Sequence, residues 1–163
     1  MRSAMAMLLF LLTMTATLAE DAKEPDPSQR FTAFINALKA KDMNATMACV
    51  AKLRKVEGID GEGYVKEKMA QQIKRRGAGD DGVPVKHEID GNCAVVVFKD
   101  IGPDERFDYD PCYLIQQDGR WGVLPRMTDP TDRTVELSND ELKRLAKLAD
   151  WFDTEKKKLR EAK

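Results

Sequence analysis

After Ser28, the apolar residues Phe31, Phe34, Ile35 and Leu38 recur at intervals of three and four, which places them on one face of a helix. Ser28 is the expected N-cap of that helix, and the helix is expected to stop near Lys41. Asp42 can cap a second helix, whose buried side takes Met43, Met47, Cys49 or Val50, Ala51 and Val56. Gly58, Gly61 and Gly63 interrupt the chain. From about Glu62 to Arg76 a third helix follows, with Val65, Met69 and Ile73 inward and a charged outer side, and the loop Gly77 to Gly82 ends it.

The period then changes from helical to alternating. Val85, His87 and Ile89 alternate with Lys86 and Glu88, and Asp90-Gly91-Asn92 is a hairpin turn. Strand two is Cys93–Lys99, dense in β-branched residues, and a turn over Ile101–Asp104 carries Gly102 and Pro103. Strand three runs from Arg106 to Gln116. Asp118-Gly119, the strongest two-residue hairpin signal in the chain, leads into strand four, Arg120–Leu124.

Turns centred in this way fix a register. One face receives Val85, His87, Ile89, Ala94, Val96, Phe98, Phe107, Tyr109, Tyr113, Ile115, Gly122 and Leu124. This is the expected concave face, against which the helices pack. The other holds Lys86, Glu88, Cys93, Asp108, Asp110, Cys112 and Gln116, with an apolar strip of Val95, Val97, Leu114, Trp121 and Val123. A four-residue loop over Ile101–Asp104 sets Cys93 opposite Cys112 on neighbouring strands. A bridge there would close a loop of about twenty residues and contribute ~3 kcal/mol. The competing pairing joins Cys49 to one of the sheet cysteines.

Beyond Pro125, residues 126–137 show no periodicity and read as a tether. Ser138-Asn139-Asp140-Glu141 is a capping box opening a final helix within residues 138–163. Leu142, Leu145, Ala146, Ala149, Phe152 and Leu159 form its apolar stripe, with Trp151 alongside. Acidic Asp150, Asp153 and Glu155 interleave the basic residues, which argues for a helix covering sheet rather than one lying on a membrane.

The opening residues follow a different logic. Met1-Arg2-Ser3, the apolar run Ala4–Leu12 and the small residues before Ala19 form a secretory signal, residues 1–19, cleaved between Ala19 and Glu20. Its apolar run is too short to span a membrane comfortably, so no stable anchor is expected after cleavage. A charged, proline-punctuated lead-in occupies residues 20–27. The expected location is secreted or periplasmic, where the three cysteines allow one bridge and one leftover thiol. With 27 basic against 28 acidic residues the chain lacks the basic surplus of a nucleic-acid binder.

The segment FTAFINALKAKDMNATMACV resembles the opening helix pair of nuclear transport factor 2-like domains, and YLIQQDGRWGVL resembles their closing hairpin. The resemblance spans residues 28–125. It implies an α+β cone, with N-terminal helices on the concave face of a curved antiparallel sheet of about four strands; the tether and final helix lie outside it. Relatives of this kind include isomerases, dehydratases and hydrolases acting on small apolar molecules through pocket Asp, His or Tyr residues. Others are accessory domains without catalysis.

The matching candidates here are His87, Tyr109 and Tyr113. Asp108 and Asp110 fall on the other face, which leaves the cone without a carboxylate base. Neither a metal-ligand spacing nor a phosphate-binding glycine loop is present, so no cofactor or metal is expected. Two readings follow. One is an exported non-catalytic domain that binds a small apolar ligand or a protein partner, with a homodimer formed through the outer sheet face. The other is an isomerase-like or hydrolase-like enzyme using His87 with Tyr109 or Tyr113.

Overall fold

The computed structural model describes residues 26–55, 60–75, 82–101 and 107–162. The export signal, nearly all of the lead-in, Val56 and Gly58, residues 77–81 and the Gly102-Pro103 turn lie outside them. The fold is α+β: a four-stranded antiparallel sheet with helices on both faces.

Helix α1 spans Pro27–Lys39. Its cap is Asp26 rather than Ser28: the Asp26 carboxylate accepts the Gln29 N–H at 2.9 Å, and Gln29 Oε1 accepts the Asp26 N–H at 3.1 Å. Proline suits the first helical position because its missing N–H would have no intrahelical partner there, so Asp26-Pro27 outcompetes Ser28. Lys41, at φ 58°, turns the chain, and Asp42 caps α2 (Met43–Cys49) by accepting the Ala45 N–H at 3.0 Å. Helix α3 (Gly61–Arg75) buries Val65 and Met69, whereas the Ile73 side chain lies outside those described.

Strands β1 (Val83–Asp90), β2 (Cys93–Ile101), β3 (Phe107–Gln117) and β4 (Arg120–Val123) lie in the order β1-β2-β3-β4. Gly91 (φ 62°) makes the first turn, and Asp118 (φ 51°) and Gly119 (φ 75°) make the last. Both hairpins keep the expected register: His87 pairs with Val96, and Gln116 with Trp121. A bulge between Pro84 and Lys86 takes Val85 out of the regular alternation.

The two hairpins meet in a register different from the expected one. Ile101 pairs with Phe107, and Cys93 lies opposite Ile115 rather than Cys112. β2 keeps pairing through Ile101 while β3 is paired from Phe107 rather than from residue 105, and the resulting three-residue displacement reverses the faces of β3 and β4 relative to β2. Cys112, Leu114, Trp121 and Val123 therefore join Ala94, Val96 and Phe98 against α1, α2 and α3. Tyr109, Tyr113, Ile115 and Leu124 join Cys93, Val95 and Val97 on the opposite face.

That opposite face is covered by helix α4 (Asn139–Glu161), which lays Leu145, Leu148 and Phe152 across it. The Ser138–Glu141 capping box is present. A homodimer through the outer sheet face would need the surface that α4 occupies. Residues 126–137 are irregular but pinned. Buried Asp132 accepts the Arg126 N–H at 2.6 Å through Oδ2, and the Thr134 N–H at 2.9 Å and hydroxyl at 2.7 Å through Oδ1.

The two sheet edges differ. Val50 bridges to Val123 in parallel, the Ala51 N–H donates to the Val123 carbonyl at 2.9 Å, and the chain then bridges Leu53 to Val135. The approach is close enough that a Cβ on Gly122 would sit 2.5 Å from the Ala51 Cα. Residues 50 and 51 thus pair with the β4 edge at Val123, whereas among the described residues β1 pairs only with β2.

Candidate functional site

His87 sits on the α1 side of β1, partly buried, with Nδ1 2.8 Å from the Ser28 hydroxyl oxygen. Sequence reasoning missed this partner. Once Ser28 is displaced from the cap into the first turn of α1, its side chain faces the sheet, and the Asp26-Pro27 pair was the available signal. As a nucleophile–base pair the two lack a third group, because His87 makes no other hydrogen bond or ion pair among the described residues. The space beside it is filled. Phe31, Phe34 and Phe98 are buried, and the Phe31 and Phe98 rings stand 4.8 Å apart at 32°.

Tyr109 and Tyr113 do not converge on His87. They lie on the α4 face, across the sheet from the histidine. Burial, followed by the nearby Asp153 carboxylate, pushes the Tyr113 hydroxyl up to about 12, so it stays protonated and acts as a packed aromatic. The expected Cys93–Cys112 bridge is absent for the same geometric reason: the two side chains leave opposite faces, and all three cysteines are free and buried. Burial raises the Cys93 thiol to about 11, so it is not a nucleophile near neutral pH. Among the described residues no group of three or more histidine, cysteine or carboxylate side chains is placed to hold a metal.

Charge is used to seat α4. Asp108 receives Arg160, both Nε at 3.0 Å and Nη2, together with Lys156 Nζ at 2.9 Å. The Arg160 hydrogen bonds, reinforced by Lys156, hold the Asp108 carboxyl well below the usual carboxylate range. Glu155 takes Lys158 and Lys86 at 2.6 and 2.7 Å, and Asp90 takes Lys147 at 2.9 Å. Each carboxyl is lowered, chiefly by the hydrogen bond from Lys158 and from Lys147 respectively. The pairs tie α4 to β1 and β3 and leave no concentrated charge for a ligand.

A cleft of about 410 Å³ is lined by Tyr64, Val65, Pro125 and Met127, together with Lys68 and Arg126. It is an open groove with no buried polar side chain to orient a ligand. The β1 edge differs in kind. Val83, Val85 and Ile89 are 49%, 41% and 45% exposed there, the largest concentration of exposed apolar side chains on any strand of the sheet. Main-chain pairing is available beside them, because among the described residues no neighbouring strand covers that side of β1.

No protein-family profile matches the chain, and no curated protein is similar to it in sequence. Among solved structures it is similar to a crystal structure from Campylobacter jejuni, provisionally named an NTF2-like transpeptidase. The TM-score is 0.49 at 17% identity, over 61% of this chain and 98% of that one.

Proposed function

We propose that this chain is an exported, non-catalytic domain that binds a protein partner along the β1 edge. The observation that carries the reading is the contrast between the two edges: residues 50 and 51 pair with β4 at Val123, while among the described residues no strand pairs with the outer side of β1, beside exposed Val83, Val85 and Ile89. Adding a strand to such an edge combines main-chain hydrogen bonds with side-chain contacts at alternate positions. A small apolar ligand inside the cone has less in its favour, because Phe31, Phe34 and Phe98 occupy that space. The enzyme reading loses its tyrosines to the other face and its histidine to Ser28. Export rests on the signal pattern of residues 1–19, and the mature protein is expected to begin at Glu20 on N-terminal sequencing.

The test is a photo-crosslinking side chain at position 85 or 89, compared with one at exposed position 157, in the producing cells. Adducts confined to the two edge positions are expected. Adducts at 157 alone, or none anywhere, would overturn the reading.

A further inference from the structure

We infer that the partner at the β1 edge is a second copy of this chain, paired antiparallel about a two-fold axis through His87. The inference rests on the reading of β1 as the binding edge and names its occupant. Val85-Lys86-His87-Glu88-Ile89 runs apolar, basic, histidine, acidic, apolar. Reversed against itself about His87, the segment sets Lys86 opposite the partner's Glu88, a contact that occurs twice, while Val85 lies in the bulge and outside the regular pairing. Opposite charges facing each other across antiparallel strands are among the contacts that stabilise such pairing. A centre one residue later would put Glu88 against its own copy, so charge selects the His87 centre.

The backbone is in phase with this arrangement. In a two-residue hairpin the residues flanking the turn exchange hydrogen bonds, which here are Asp90 and Cys93. By alternation, Glu88 pairs in the same way with Val95, and their amide and carbonyl groups point into the sheet. The Gln116 N–H, donated to the Asn92 carbonyl at 2.7 Å, agrees, since it turns residue 92 toward β3 and residue 93 toward β1. His87 and Ile89 therefore direct their main-chain groups outward. On the axis, His87 would exchange two hydrogen bonds with its copy. Lys86 and the partner's Glu88 would fall at the intervening position, where facing side chains approach closest.

The charges are available. Glu88 is exposed and has no ion pair or hydrogen bond among the described residues. Lys86 already reaches Glu155 at 2.7 Å, yet its side chain remains 50% exposed and can serve a second carboxylate. Pro84, which has no N–H, and the bulge after it confine pairing to a short stretch. Because the two-fold pairing uses the β1 edge of each copy, the assembly closes at two.

Sedimentation velocity on the purified mature chain, run over a range of concentrations, should show a reversible dimer. Glu88→Lys breaks no hydrogen bond or ion pair of the side chain among the described residues and should weaken association about tenfold at low salt. Lys86→Glu should do the same, and the double variant Lys86→Glu/Glu88→Lys should restore association to within about threefold. Circular dichroism melting of each variant shows whether it is folded. A chain monomeric at every concentration, or a dimer indifferent to Glu88→Lys, overturns self-pairing. If edge crosslinks then carry a different protein, the binding-edge reading survives without it; if there are no edge crosslinks, both fall.

Discussion

Ser28 and His87, separated by 59 residues of sequence, share a 2.8 Å hydrogen bond that pins the first turn of α1 to the edge strand β1. This contact turns the sequence's most conspicuous ionisable residue into a structural link. Ser28→Ala would leave the Nδ1 atom without its partner in a partly buried site and is expected to cost about 1 kcal/mol in urea unfolding. An unchanged midpoint would mean that the bond contributes nothing net.

The stacked rings of Phe31 and Phe98 close the space a ligand would need. Phe31→Ala is expected to destabilise the fold by about 3–5 kcal/mol, the usual cost of removing a fully buried phenylalanine. It should also create an apolar void that takes up small aromatic probes, which the unaltered protein excludes. Calorimetry with benzene or indole on both proteins checks this, and equal uptake by the two would show that the interior is already open.

All three thiols are expected to be free in protein isolated without reductant. Mass measurement without reductant should give the fully reduced value, and alkylation at pH 8 should be slow until urea is added. Cys93, raised to about 11 by burial, is expected to react last in the folded state. A mass two units lower than the reduced value would mean that a pair of these cysteines can meet.

Asp90, Asp108 and Glu155 each have their carboxyl pKa lowered in the folded chain, and each takes part in seating α4. A group depressed on folding adds stability that is present above its unfolded pKa and is lost as pH falls through the folded value. Stability is therefore expected to hold from pH 5 upward, apart from alkaline effects, and to fall progressively below about pH 4. The effect should shrink in high salt, because the ion pairs reach the surface. Asp108→Asn should flatten the acid limb, with melting temperature against pH as the readout.

Much of the fold was legible because local signals fix local geometry. Gly91 and the Asp118-Gly119 pair set the registers of the two hairpins, and Ser138 with Glu141 announced α4. The junction between the hairpins carries no comparable signal. The number of residues in a longer connection is set by how far the strands continue to pair, and it decides which face β3 presents. From that single displacement came the exchange of Tyr109 and Tyr113 with Cys112 and Leu114, and with it the loss of both the expected pocket and the expected bridge. Asp26-Pro27 was a stronger start signal than Ser28 by itself, and overlooking it hid the partner of the only histidine. The difference between the two edges could not be read from β1 alone, because it depends on residues 50 and 51 pairing with β4.

Among the described residues helix α4 supplies the helical cover for Val95, Val97 and Ile115, and it is synthesised after every strand of the sheet. Chains emerge from the N-terminus, so α1 to α3 and the sheet can assemble one core while the other face is still bare. The nascent protein thus passes through an interval, ended only when residues 139–161 arrive, in which half of its sheet is adhesive. A stop codon ahead of Asn139 would make that interval permanent.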